Sequence, residues 1–260
     1  MGEITYLLSA LSGVLVGFTL GLVGGGGSIL AVPLMVYVVG VKNPHLAIGT
    51  SALAVAANAL AGLASHARAH NVNWRCGGAY ALAGVLGAFA GSSAGKAVNG
   101  QHLLLLFALL MLVIAVLMFR SRGQEGVEGV VCNRDNFPKV TAFGFGTGVL
   151  SGFFGIGGGF LIVPGLVAST AMPVGRAVGT SLVAVTAFGL TTAFNYALSG
   201  LVDWALAGTF IAGGVLGSVA GTALSRRMAA AKGQLSTVFA GLVVVVALYM
   251  IWQGLVSLGL

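Results

Sequence analysis

Residues 24–33 read GGGGSILAVP, and residues 155–164 read GIGGGFLIVP. The two stretches align at an offset of 131 residues, where they share three glycines and a Val-Pro pair. After a gap of one residue, Gly49-Thr50-Ser51 aligns with Gly179-Thr180-Ser181. A glycine-rich background matches glycines by chance, but it does not also match Pro and Thr-Ser in the same order. The sequence therefore predicts two copies of one unit.

The composition places this unit in a lipid bilayer. Hydrophobic residues make up 58% of the 260 residues and charged residues 7%, whereas soluble domains carry roughly 25% charged residues. This excludes a soluble enzyme, a nucleic-acid-binding domain and a secreted module built on disulfides. Basic loops of membrane proteins account for the net charge of +7 without an acidic partner. We expect Cys76 to be a small apolar filler and Cys132 a reduced loop thiol.

Each copy contains about five apolar segments, and all of them should be helices because hydrocarbon does not tolerate open strand edges. The predicted segments are residues 5–23, 28–41, 46–65, 76–95 and 102–119, then 139–154, 159–171, 177–199, 204–224 and 235–258. The predicted fold class is thus an all-α polytopic membrane protein. Its repeats are residues 1–119 and 139–260, joined by a polar linker at residues 120–138.

The number of crossings stays open. Segments 28–41 and 159–171 are short for a span of roughly 20 residues. Each can cross the bilayer, or form a glycine-broken hairpin with the segment before it. The sequence is therefore compatible with ten crossings, or with six crossings plus two re-entrant hairpins.

The placement of Lys and Arg predicts the orientation of the repeats. With a cytoplasmic linker and an odd number of crossings per repeat, ten of the 12 Lys and Arg residues face inside, and only Lys42 and Lys96 face outside. With four crossings per repeat the split is six to six. The positive-inside bias therefore favours repeats of inverted topology with both termini outside.

The most specific local feature is the pair of glycine breaks between apolar segments. Dense glycine interrupts a helix and leaves backbone N–H groups uncovered, and a restarting helix presents its positive end. Together these make an anion site without a cationic side chain, a device that transporters place near the membrane midplane. A tight hairpin turn with close helix packing is the alternative. The predicted substrate-binding residues of the breaks are Gly25, Gly26, Gly27, Ser28, Gly157, Gly158 and Gly159.

A polar stripe follows each break. Ser51 and Asn58 are seven residues apart and so share a helix face, and Ser181 and Asn195 share the equivalent face. Such side chains line a wet cavity or form hydrogen bonds between helices. The remaining predicted substrate-binding residues are Thr50, Ser51, Asn58, Thr180, Ser181 and Asn195. The Gly-xxx-Gly runs, in contrast, are predicted to be helix-packing seams: Gly13/Gly17/Gly21, Gly87/Gly91, Gly144/Gly148/Gly152 and Gly213/Gly217/Gly221.

Ionisable residues are absent from the middle of every apolar segment, so a carboxylate proton relay is not expected. His66 and His70 have the i,i+4 spacing of metal ligands, but no third ligand follows, and we predict no metal and no cofactor. Proton sensing by His66 is a further hypothesis. No nucleophile and base pattern occurs, which argues against an enzyme.

At its glycine breaks and Gly-Thr-Ser triplets the chain resembles the sulfite exporter TauE/SafE family, also called the toluene-sulfonate uptake permeases. Asn195-Tyr196 and Val202-Asp203-Trp204 add to the resemblance, which covers nearly the whole chain. It implies a multi-pass carrier of the cell inner membrane for sulfite or small organosulfur anions. The two halves differ at Asn58 opposite Phe188, so which half holds the anionic group stays open.

We therefore expect a secondary transporter that binds a small sulfur-containing anion at the repeat interface. The alternatives are a passive small-anion channel, which needs a continuous wet path, and a membrane interaction protein that docks through its linker. The expected partners are the substrate and the lipid bilayer, with no nucleic acid. The sulfur anion, the direction of transport, the coupling ion and the oligomeric state are not decided by the sequence.

Overall fold

The structure, a computed structural model, describes residues 2–120, 132, 136–227 and 232–257. All regular secondary structure within these residues is helical, which confirms the predicted fold class. Four helices, α1, α3, α8 and α9, are long and apolar enough to cross a membrane by length and composition. The elements in chain order are α1 (Glu3–Val23), the 3-10 helix η1 (Gly24–Leu30), α2 (Ala31–Pro33), the π-helix η2 (Leu34–Val38), α3 (Pro44–Arg68), α4 (Trp74–Ala97), α5 (Gly100–Arg120), α6 (Phe137–Phe154), α7 (Gly159–Thr170), α8 (Val174–Ala197), α9 (Trp204–Arg227) and α10 (Lys232–Ser257).

Equivalent polar residues begin α4 and α9. The Asn73 side chain accepts a hydrogen bond from the N–H of Cys76 at 3.2 Å. The Asp203 carboxylate accepts two, from the N–H groups of Ala205 and Leu206. Short polar side chains at this position satisfy amides that the first helical turn leaves without a partner.

Glycine seams bring α6 against α4 and α1 against α9. A methyl group added to Gly144, Gly148 or Gly152 of α6 would collide with a backbone carbonyl oxygen of α4. Helix association in lipid relies on van der Waals contact, so small residues at every fourth position allow the backbones to approach. The predicted packing role of the Gly-xxx-Gly runs is confirmed. The equivalent contacts of α1 with α9 are Gly13 with Phe210, Gly17 with Gly214 and Gly21 with Ser218.

The order of such contacts gives the helix directions. Residue numbers rise together along α6 and α4, and along α1 and α9, so both pairs are parallel. Helices α3 and α8 run antiparallel, because Gly62 meets Leu182 whereas Gly49 meets Leu201 near the other end. Helices α3 and α8, which carry the two Gly-Thr-Ser triplets, therefore point in opposite directions.

The chain reverses its direction within the bundle after the second glycine break. Helices α6 and α8 are both parallel to α4, as the contact of Gly77 with Thr180 and that of Gly84 with Phe188 show for α8. Residues 155–173, which connect α6 to α8, must therefore run back. Helix α7 makes most of this return with 12 residues, or about 18 Å at 1.5 Å per residue, less than the roughly 30 Å of a hydrocarbon core.

Large apolar side chains cover the outside of the bundle. Leu82 of α4 is 75% exposed and Leu216 of α9 is 71% exposed. Other aromatic and aliphatic side chains of the same helices, such as Phe89 and Val219, are exposed as well. Exposed apolar faces of this extent fit hydrocarbon rather than water.

One prediction is wrong. Cys76 and Cys132 form a disulfide, with their Cα atoms 5.4 Å apart, instead of remaining a core filler and a reduced thiol. The reason is that Cys76 lies in the first turn of α4, where residue 132 of the linker comes alongside it. Residues 121–131 and 133–135 of the linker lie outside the described part of the chain, so its predicted side of the membrane is not tested.

Candidate functional site

The second glycine break is an irregular turn that only glycine adopts easily. Gly155, Gly157 and Gly158 all have φ between 66° and 68°, a left-handed conformation that side chains with a Cβ disfavour. Helix α6 ends at this turn, and α7 begins with Gly158 as its N-cap, which supplies no side-chain cap. The first turn of α7 therefore presents backbone N–H groups that only other residues or a ligand can satisfy.

Gly157 lies near mid-height in the bundle, whereas Gly155 packs on Ile48 in the second turn of α3. A methyl group on Gly157 would lie 2.8 Å from Cγ1 of Val55 and 3.4 Å from Cγ1 of Val185. These valines are near the middle of the antiparallel helices α3 and α8. Because residues 154–160 are buried, the positive end of α7 points into the centre of the protein.

The first glycine break is built differently. Gly25, Gly26, Gly27 and Ser28 belong to the 3-10 helix η1, which continues almost directly into α2. Gly27 packs on the backbone of α1 at Thr19 and Leu20. The hydroxyl of Thr19 that faces it already donates to backbone carbonyl oxygens within α1. The two breaks, although similar in sequence, are thus not equivalent in structure.

Thr50 and Thr180 anchor the starts of α9 and α4. The hydroxyl of Thr50 accepts a hydrogen bond from the N–H of Asp203 at 2.9 Å. The hydroxyl of Thr180 accepts one from the N–H of Asn73 at 3.0 Å. The two bonds are equivalent in the two copies, and each joins a helix of one copy to a helix N-cap of the other.

Ser51 and Ser181 are also equivalent. Ser51 donates to the carbonyl oxygen of Ile48 at 3.0 Å, and Ser181 donates to that of Val178 at 2.8 Å. Both side chains are buried. A hydroxyl bonded back to its own helix keeps an acceptor lone pair but has used its proton.

Asn58 differs from these side chains because it has no partner. It is 0% exposed, and neither its Nδ2 nor its Oδ1 forms a hydrogen bond. Its amide lies against the backbone of Gly214 in α9. At the equivalent position of the second copy, Phe188 lies against Gly84. An amide buried without partners costs roughly 1–3 kcal/mol.

Asn195 is fully engaged with α4. Its Nδ2 donates to the hydroxyls of Ser92 and Ser93 at 2.6 and 2.9 Å. Its Oδ1 accepts a hydrogen bond from Lys96 at 2.8 Å, and the same ammonium group also donates to Ser199. Asn195 therefore holds Lys96 at one end of the bundle, and its amide has no hydrogen-bonding atom left over.

His66 lies at the opposite end of the bundle from Lys96. Its Nδ1 is 3.3 Å from Nδ2 of Asn71, which also donates to the carbonyl oxygen of Gly175. His66 is therefore part of the contact between the end of α3 and the start of α8, away from the mid-height break. Its predicted proton-sensing role stays a prediction.

Ser151 was missed by the sequence analysis. It is 0% exposed, its hydroxyl has no hydrogen-bond partner, and a methyl group on Gly158 would lie 2.8 Å from its Oγ. The sequence did contain a signal. At the offset of 131 residues the polar Ser151 stands opposite the apolar Leu20, one turn before the glycine break.

The fold and this arrangement define a class: an all-helical polytopic membrane protein whose broken helix aims uncapped amides at its buried centre, as membrane transporters do. The sequence pattern of the family described as sulfite exporter TauE/SafE matches residues 9–250. The chain belongs to this family, and it is a membrane transporter.

Curated relatives agree with this assignment. A probable membrane transporter protein of Xylella fastidiosa (strain 9a5c) is 53% identical over 253 residues, covering 95% of both chains. One of Methanocaldococcus jannaschii is 30% identical over 194 residues, covering 69% of each. One of Bacillus subtilis (strain 168) is 26% identical over 245 residues, covering 86% of this chain and 90% of the relative. No solved structure matches the chain.

Proposed function

We propose that this protein is a secondary transporter that moves sulfite or a small sulfonate-like anion across the bacterial inner membrane. The family supplies the substrate class, since its description is sulfite exporter. The observation that carries the proposal is the start of α7 at mid-height, where uncapped glycine amides meet the centres of α3 and α8. Helix N-termini of this kind hold anionic groups of substrates in other carriers.

The proposed site uses neutral donors. The amides of Gly157, Gly158 and Gly159 supply backbone N–H groups, and Asn58 supplies an amide with both polar atoms available. Ser51 and Ser181 line the same faces. Thr50, Thr180 and Asn195 support the site by fixing the helices that surround it, because their hydrogen bonds join α3 to α9 and α8 to α4.

We further propose that the two repeats have inverted topology, with a cytoplasmic linker and both termini outside. The antiparallel pairing of α3 with α8 supports this arrangement, and so does the ten-to-two distribution of Lys and Arg. Motion of one repeat against the other would then open the site to alternate sides. Residues 154–160 are buried, as expected of a carrier with its site closed.

Ligand-dependent thermal unfolding of the purified full chain tests the proposal. Methanesulfonate and sulfite should raise the melting temperature in a saturable way relative to chloride at equal ionic strength. At a ligand concentration of about 100 Kd the stabilisation should reach about 2.7 kcal/mol. Equal melting temperatures in all three anions would refute the substrate class. Ionic conductance in planar bilayers, far above carrier turnover, would show a channel instead.

A further inference from the structure

We propose that the anionic group of the substrate binds at the second glycine break, between Ser151 and the first turn of α7, and that this site selects a monoanion. This inference rests on the proposed transport function. It specifies which copy of the repeat holds the charged group of the substrate and how many charges that group carries.

The hydroxyl of Ser151 lacks the bond that most buried serine hydroxyls make, as does that of Ser12 in α1. Ser51, Ser181 and Ser169 are buried serines, and each donates to the carbonyl oxygen three residues before it. Ser151 is equally buried, but its hydroxyl has no partner. It lies over Gly158, the N-cap of α7. A hydroxyl left unpaired in a buried position costs about as much as a lost hydrogen bond, so its proton is available to a ligand.

Backbone donors converge on the same place. The N–H groups of residues 155 and 156 donate to the carbonyl oxygen of Ser151, and those of residues 161 and 162 donate to that of Gly158. The N–H groups of residues 157–160, in contrast, have no hydrogen-bond acceptor among residues 2–22, 26–116 and 136–224. These donors and the positive end of the 12-residue helix α7 favour a bound anion.

The first copy provides an internal comparison. Leu20 stands where Ser151 stands in the second copy, and Gly27 packs on it as Gly158 packs on Ser151. The nearby Thr19 hydroxyl is satisfied by backbone carbonyl oxygens. Within the described part of the first break, the unpaired hydroxyl of Ser151 therefore has no counterpart at Leu20, and we place the anionic group in the second copy.

The charge of the ligand follows from the absence of a fixed cation. In every described helix, each Lys and Arg lies in the first or last turn. Lys96 of α4 follows Gly95, which packs on the backbone of Phe153 at the end of α6. Its ammonium group is already bonded to Asn195 and Ser199.

The cost of burying an ion rises with the square of its charge in a continuum treatment, so a dianion costs about four times as much to bury as a monoanion. Neutral donors offset this difference less than a buried cation would. The site should therefore take bisulfite and alkylsulfonates, which carry one charge, and reject sulfate and the sulfite dianion.

Isothermal titration of the purified full chain with methanesulfonate tests the location of the site. Ser151→Ala should weaken methanesulfonate binding at least about tenfold, because it removes one hydrogen bond to a charged group. Ser169→Ala is the matched control: it removes a buried serine hydroxyl at the other end of α7 and should leave affinity unchanged. Equal affinity of Ser151→Ala and the wild type would overturn the location.

Titration of the wild type at several pH values tests the charge preference without any variant. Methanesulfonate carries one charge throughout, so its affinity should not change with pH. The apparent Kd of sulfite should rise about tenfold per pH unit above the pKa of bisulfite, and sulfate should not compete. Sulfite affinity that holds constant above this pKa would overturn the monoanion preference. Absence of binding by either sulfur anion to the wild type would instead overturn the proposed function itself.

Discussion

Replacing Asn58 by alanine should stabilise the protein in the absence of substrate. The amide of Asn58 is 0% exposed and neither polar atom has a partner, a situation that costs roughly 1–3 kcal/mol. Alanine removes this cost but leaves a cavity of about 25 Å³, worth about 0.6 kcal/mol at ~24 cal/mol per Å³. The net effect is a gain of roughly 0.5–2.5 kcal/mol.

Asn195→Ala is the matched control because it changes the same residue type at a position where every polar atom is engaged. It removes hydrogen bonds with Ser92, Ser93 and Lys96, so it should destabilise by about 1–3 kcal/mol. Alanine's higher helix propensity adds about 0.6 kcal/mol to both variants and cancels in the comparison. The two substitutions should thus have opposite signs.

Thermal unfolding in detergent, in buffer without sulfur anions, measures both variants. One kcal/mol corresponds to about 2–4 °C in a chain of this size. Addition of methanesulfonate should then raise the melting temperature of the wild type more than that of Asn58→Ala. A substrate-free Asn58→Ala that melts as low as Asn195→Ala would refute the view of Asn58 as an unsatisfied group kept for the ligand.

The other predictions concern the scaffold. In a thermal unfolding scan, Gly148→Ala should destabilise the bundle by about 1–3 kcal/mol, because the added methyl group meets the backbone of Gly84. Gly146→Ala is the control: its methyl group has nothing within 4 Å, so this variant should be neutral or stabilising. Thr50→Val should lower the melting temperature by the equivalent of about 1 kcal/mol, since the N–H of Asp203 loses its acceptor; an unchanged melting temperature would show that this bond contributes nothing. The Cys76–Cys132 disulfide tests the proposed topology, because the cytosol keeps most protein thiols reduced. A pair that thiol trapping finds oxidised in intact cells would contradict a cytoplasmic linker, whereas free thiols in cells, with the disulfide forming after lysis, would agree with it.

Much of the fold was predictable because it depends on local composition and on repetition. The apolar segments and the glycine seams can be read from residue types and their spacing. The role of Thr50 could not be predicted in this way, because its partner Asp203 lies 153 residues away in the chain and the bond exists only when α3 packs beside α9. The Cys76–Cys132 disulfide depends in the same way on where the linker passes α4.

The site was predictable in kind but not in its asymmetry. Both breaks contain enough glycine to end a helix, so sequence treats them alike. Their structures differ, and single side chains at equivalent positions differ as well, such as Leu20 against Ser151. Such a difference has a functional meaning only once Gly158 is known to pack on Ser151. Hydrogen-bond satisfaction is a property of the packed protein and cannot be read from residue type.

The asymmetry has a consequence for how the substrate is oriented. In each copy an unpaired polar side chain near the proposed site stands opposite an apolar one: Asn58 opposite Phe188, and Ser151 opposite Leu20. A site with full two-fold symmetry would bind an anion equally well in two opposite orientations. Here Val55, one turn before Asn58, contacts the break at Gly157, so the Asn58 backbone lies roughly 5 Å along α3 from that contact. The proposed site therefore has a charged-group end formed by the second copy and an amide end formed by the first. A sulfonate, whose three oxygens lie on one side of the sulfur, fits such a site in a single orientation.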